Sequence, residues 1–179
     1  MIQCWAQKTD IISKDSKNGI NIGFMGALQT VSYSVNYEHL FNNRHGLVFG
    51  IPLINTNRGK EMGFSLSYRN HWKEKMSSPY WGLFLNYSRV EVPAEETVNG
   101  SVVNKYWSRN TATTIGFNVG RRWVTNIGLN IGIRGGVGIP FSKFEWIDEP
   151  NDPEFEDFSE SVFKVISAFD VELSVGYCF

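Results

Sequence analysis

Few residues in this chain are of types that do chemistry, and their spacing limits what that chemistry could be. There are three histidines, His39, His45 and His71, and two cysteines, Cys4 and Cys178. Neither set has the clustered, regular spacing of a zinc site, and two thiols make no disulfide framework. Carboxylates are concentrated at Asp148, Glu149, Asp152, Glu154, Glu156, Asp157 and Glu160, with Lys143 the one nearby base. Oxygen ligands at that density suit Ca²⁺, but the EF-hand spacing is missing. Pro150 and Pro153 point instead to an irregular, solvated acidic loop over 140–162. Gly19, Gly23 and Gly26 open no helix, so they make no nucleotide-binding turn. The expectation is therefore no catalytic residue, no metal, no cofactor and no enzymatic activity.

The elements that position these residues are strands. Asp170 to Phe179 alternates without a fault: Val171, Leu173, Val175, Tyr177 and Phe179 on one face, Asp170, Glu172, Ser174, Gly176 and Cys178 on the other. A period of two separates the faces of a strand. Extended backward, Val165 and Phe169 join the apolar face of this last strand. Seven further segments alternate likewise, at about 19–28, 31–39, 46–54, 62–72, 80–90, 111–123 and 126–139. Gly135-Gly136 predicts a bulge that shifts the phase of the seventh.

The 179 residues suit one domain, with 15% aromatics and 17 glycines. Net charge is −1, so nothing points to a nucleic-acid partner and none is expected. No apolar run reaches the roughly 18 residues of a spanning helix. The polar faces are built from Gly, Ser and Asn, small enough for the interior of a narrow barrel. The apolar faces would then point outward into lipid, with aromatics at strand ends as interfacial girdles. The predicted fold is all-β: an eight-stranded antiparallel up-and-down transmembrane β-barrel over 19–179. Residues 1–18 are read as a signal-peptide remnant or a disordered N-terminal segment.

Glu38, Arg69, Arg134, Asp170 and Glu172 take the inward phase, and buried charges need partners. They predict a network that plugs the lumen, with Arg134 pairing Asp170 or Glu172. The histidines fall near the end that carries the termini. A bridge between Cys4 and Cys178 would be possible if both thiols are present.

The last strand resembles the C-terminal signal of bacterial outer-membrane proteins: Phe179 at the terminus, Tyr177 two before it, and Val175, Leu173 and Val171 at alternate positions. The whole chain looks like a small outer-membrane β-barrel, similar in plan to OmpX and the barrel of OmpA and to the Bacteroidota families of this type. A lipocalin would also alternate, but it carries an early Gly-x-Trp motif and a C-terminal helix; this chain ends inside a strand. The resemblance implies assembly by the β-barrel assembly machinery, a Gram-negative outer-membrane location, and outer-membrane lipid and lipopolysaccharide as surroundings, for a monomer. Barrel enzymes of that membrane act near the outer leaflet, which places these histidines poorly for a Ser–His hydrolase. Two expectations of function remain: a plugged barrel with a structural or surface-binding role through its external loops, or a narrow channel for small polar solutes.

Overall fold

A computed structural model of the chain describes residues 16–27, 30–52, 54–56, 59–73, 75–98, 101–147 and 153–179. Its strands are β1 (Asn18–Ala27), β2 (Thr30–Leu40), β3 (His45–Pro52), β4 (Ile54–Thr56), β5 (Gly59–His71), β6 (Pro79–Val98), β7 (Ser101–Val124), β8 (Leu129–Trp146) and β9 (Phe169–Cys178). One helix, α1 (Pro153–Ser167), precedes β9.

Successive wall strands pair antiparallel, and β9 returns to pair with β1 from Gly19↔Cys178 to Met25↔Glu172. Strands β3 and β4 both pair with β5 in one continuous register, so together they form a single strand of the wall. The result is a closed eight-stranded up-and-down barrel. Closure leaves no unpaired edge through its middle, which removes the main hazard of an open sheet. Both ends of the wall meet at one rim, where Asn18 and Phe179 exchange backbone hydrogen bonds of 3.1 and 2.9 Å.

Alternation along the strands becomes inside and outside. On β2, Ser34, Asn36, Glu38 and Leu40 are buried while Tyr33, Val35, Tyr37 and His39 are exposed. On β9, Asp170, Glu172 and Ser174 are buried while Val171, Leu173, Val175 and Tyr177 face out. Tight turns close the rim that bears the termini. Asn42 Oδ1 accepts from the Arg44 and His45 amides at 2.9 and 2.8 Å. Gly128 takes φ +91° in the β7–β8 turn, a conformation that glycine adopts without penalty.

Four expectations need correction. Residues 91–98 and 101–110 are strand, beyond the segments expected at 80–90 and 111–123: β6 and β7 run on as a pair to Val98↔Ser101, with a register shift at Glu96/Thr97. Within 140–162, the described residues include β8 to Trp146 and α1 from Pro153, so Val165 is helical rather than part of β9. Pro153 is the first residue of α1, where its missing N–H costs nothing. Glu154, Glu156 and Asp157 fall in the first turns and Lys164 in the last, as the helix dipole favours. Gly135 and Gly136 pair in unbroken register with Val119 and Asn118, so no bulge shifts the phase and Val137, Ile139 and Phe141 stay outward. The seventh wall strand begins at Leu129, and Ile127 lies in the preceding turn.

Candidate functional site

The lumen holds the chemistry. At its centre is Glu38, fully buried on β2. Its Oε2 accepts from Arg69 Nη1 and from Arg122 Nη2, both at 2.6 Å, and its Oε1 from His71 Nε2 at 2.9 Å. A carboxylate has no proton to give, so His71 carries one on Nε2. Its Nδ1 faces the Ser78 hydroxyl at 3.0 Å. The Arg69 guanidinium also lies over the Tyr80 ring, 4.4 Å from its centroid, and Arg122 Nη1 donates to Met76 Sδ at 2.8 Å.

A second cluster follows along the barrel axis. Arg134 on β8 reaches Asp170 at 2.9 Å through Nε and Glu172 at 3.1 Å through Nη2. Their positions follow from the pairing, because Arg134 stands opposite Glu172 and Gly136 opposite Asp170. Asn118 donates to Asp170 at 2.8 Å; Asn36 and Ser34 donate to Glu172 at 2.9 and 3.4 Å. Gly23 leaves the room this needs: a Cβ there would lie 2.6 Å from the Glu172 carboxylate.

Across both clusters three guanidiniums, of Arg69, Arg122 and Arg134, face three carboxylates, of Glu38, Asp170 and Glu172. Balance and hydrogen bonding are what buried charges require. Apolar side chains are buried at both ends of the column. At the termini-bearing rim, Leu40, Met76 and Cys178 form a buried apolar stopper, with Val124 against it. The 72–78 turn is tied in through Arg122 N to Ser78 O and Val124 N to Ser77 Oγ, both 3.1 Å. Toward the opposite rim, Phe84, Ala112 and Phe144 are buried. There the chain leaving α1 is held by Thr114 Oγ1 donating to Ser167 O at 3.1 Å and Gly138 N to Ala168 O at 2.7 Å.

All five charged residues singled out from the sequence therefore lie in this lumen. Glu38 and Arg69 share one cluster; Arg134, Asp170 and Glu172 share the other. Sequence reasoning missed Arg122 and the part His71 plays. Both were legible by parity, since Arg122 continues the inward set Thr114, Gly116, Asn118 and Gly120, and His71 continues Arg69. The C-terminal set Val171, Leu173, Val175, Tyr177 and Phe179 is exposed on the outer face. Of the acidic stretch, Asp148, Glu149 and Asp152 lie outside the described residues, and Glu154, Glu156, Asp157 and Glu160 fall in α1. Cys4 also lies outside them, as do residues 1–15. Among the described residues, no group of three His, Cys, Asp or Glu side chains is placed to hold a metal ion.

No protein-family model matches the chain, and no curated protein matches it.

Proposed function

We propose that this chain is a bacterial outer-membrane β-barrel with a plugged lumen, acting as a structural or surface-binding element through the end opposite its termini. The observation that carries this reading is inverted polarity. Glu38, Asp170 and Arg134 are at most 5% exposed, whereas Leu83, Ile131 and Val175 are 55, 52 and 48% exposed. That apolar belt runs round the barrel, and in water it would drive aggregation. A bilayer is the solvent in which apolar-out, polar-in strands are stable. No described helix is long and apolar enough to cross a membrane, so the strands would make the crossing.

In this reading the termini and short turns face the periplasm, and the tall β6–β8 wall with α1 faces outward. Exposed Trp72, Trp123 and Tyr177 sit at the periplasmic rim, where aromatic girdles belong. Lipopolysaccharide and outer-membrane lipid are the surroundings, the β-barrel assembly machinery inserts a single copy, and no enzymatic step is assigned. The packed ion pairs and the apolar stopper favour the plugged barrel over the narrow channel, since eight strands leave little more than side-chain space.

The test joins two measurements on refolded protein. Heat-modifiable migration on gels, with a β-type dichroism spectrum in detergent, is expected of the barrel. A helix-rich spectrum, or a stable monomer without detergent, would contradict it. Planar bilayers should stay silent, and steady single-channel openings would transfer the assignment to the channel.

A further inference from the structure

Just beyond the apolar belt, the outer faces of β6, β7 and β8 carry a ladder of five charges. Outward positions on β6 run Leu83, Leu85, Tyr87 and then Arg89, Glu91. On β8 they run Val137, Ile139, Phe141 and then Lys143, Glu145. The register sets Arg109 of β7 opposite both Glu91 and Glu145, and Thr111 opposite both Arg89 and Lys143. Arg89 Nη2 and Arg109 Nε reach Glu91 Oε1 at 2.7 and 3.0 Å. Lys143 Nζ reaches Glu145 Oε1 at 2.6 Å, and Arg109 Nη1 lies 3.8 Å from Glu145 Oε2. Hydrogen bonds from Arg89 and then Arg109 hold the Glu91 carboxyl below its ordinary range, so the ladder stays ionised at neutral pH.

Three cations against two carboxylates leave a positive excess. Arg89 and Lys143 stand on strands separated by β7, two strand spacings or roughly 10 Å apart at the backbone. The Lys143 side chain is 75% exposed. Directly below lies open apolar surface. β9 stops pairing with β8 at Val137↔Phe169, so among the described residues no strand flanks Ile139 and Phe141 on that side. These two are 68 and 63% exposed, among the highest values of the belt. Apolar surface below and cations above match the order of parts in a membrane lipid, acyl chain below and phosphate above.

We propose that the Arg89–Arg109–Lys143 ladder binds the phosphates of an outer-leaflet glycolipid bearing two phosphates, with its acyl chains against Ile139 and Phe141. The inference rests on the outer-membrane reading and adds to it a site and a ligand class. Glu91 and Glu145 hold the cations in line, and the excess charge and exposed Lys143 supply the attraction.

Native mass spectrometry of the detergent-solubilised full chain tests it, titrating bisphosphorylated lipid A, its monophosphorylated form, phosphatidylglycerol and inorganic phosphate. Bisphosphorylated lipid A is expected to bind tightest. The triple variant R89Q/R109Q/K143Q should bind it at least about tenfold more weakly while keeping heat-modifiable migration. R121Q, at the opposite rim, should leave it unchanged. If the triple variant fails to fold, K143Q alone replaces it, with a loss of about threefold expected. Unchanged binding in the folded variant, equal binding of phosphatidylglycerol, or displacement by inorganic phosphate would overturn the proposal. A wild-type chain that forms no heat-modifiable barrel would overturn the outer-membrane reading instead.

Discussion

Glu38 accepts from two guanidiniums and an imidazole while wholly out of solvent. Such a group contributes little net stability while its partners stay, because desolvation offsets the attraction, but removing one partner strands a buried charge. Arg134 is the sharper case, because Asp170 and Glu172 both depend on it. Arg134→Met should destabilise the folded barrel by about 3–5 kcal/mol, read as a lowered midpoint in a urea titration with lipid vesicles. An unchanged midpoint would mean that the lumen is wet enough to solvate both acids. At Gly23 the constraint is space. Gly23→Leu should displace Glu172 and destabilise the barrel in the same titration, whereas Gly135→Ala, with nothing within 4 Å of its added Cβ, should be tolerated. These residues were legible to different degrees. Parity alone places Arg134, Asp170 and Glu172 inside, because one face of each strand is apolar. The link from Arg122 to Glu38 joins strands far apart in sequence, and no local pattern encodes which partner crosses the lumen.

Elements show where the two-residue period ceases to inform. It holds where one face meets the packed lumen and the other an apolar surround. Above the belt, residues 91–98 and 101–107 lose the alternation yet remain paired, because neither face there must be apolar. The helix α1 was hidden by its prolines and acids. The signals for it were Pro153 at the first helical position, acids in the opening turns, and Phe155, Phe158, Val162 and Val165 at three- and four-residue spacing. Strand level also decides the cost of a charge on the outer face. Leu129 begins β8 at the rim that bears the termini, so in a bilayer Leu129→Arg should cost about 0–1 kcal/mol. Ile133→Arg, two pleat repeats nearer the middle, should cost about 2–4 kcal/mol, checked by the same urea midpoint. Just beyond β9 the exposed Phe179 exchanges backbone hydrogen bonds with Asn18. Phe179→Ser should lower the amount assembled in outer membranes, measured in membrane fractions; normal levels would count against an assembly signal. The Glu91 contacts carry a pH dependence. Its depressed carboxyl gives the β6–β7 ladder stability that is present above the ordinary carboxylate pKa of about 4.3 and is lost as pH falls through the lower folded value. Amide exchange at 89–91 and 109–111 should therefore quicken in acid before that of β9 does.

At the scale of the whole molecule, one closed sheet separates two environments. Inside are ion pairs among buried side chains; outside, among the described residues, is a belt rich in Ile, Leu, Val and Phe. The wall is tall over β6, β7 and β8 and short over β1 to β3 and β9, so the charged ladder and α1 sit on one side of the outward end. The central claim is that the exposed apolar face of each strand meets lipid and the opposite face a packed lumen, which on β8 means odd-numbered positions outward and even-numbered ones inward. Spin labels placed singly at 129–137 of β8, in a Cys4→Ser/Cys178→Ser background reconstituted into vesicles, measure this directly by collision with oxygen and with a water-soluble nickel chelate. The account predicts alternation, with labels at 131, 133 and 137 reached by oxygen and not by the chelate, and labels at 130, 132 and 134 reached by neither. Chelate access at 131 and 133, or no alternation along the strand, would contradict it.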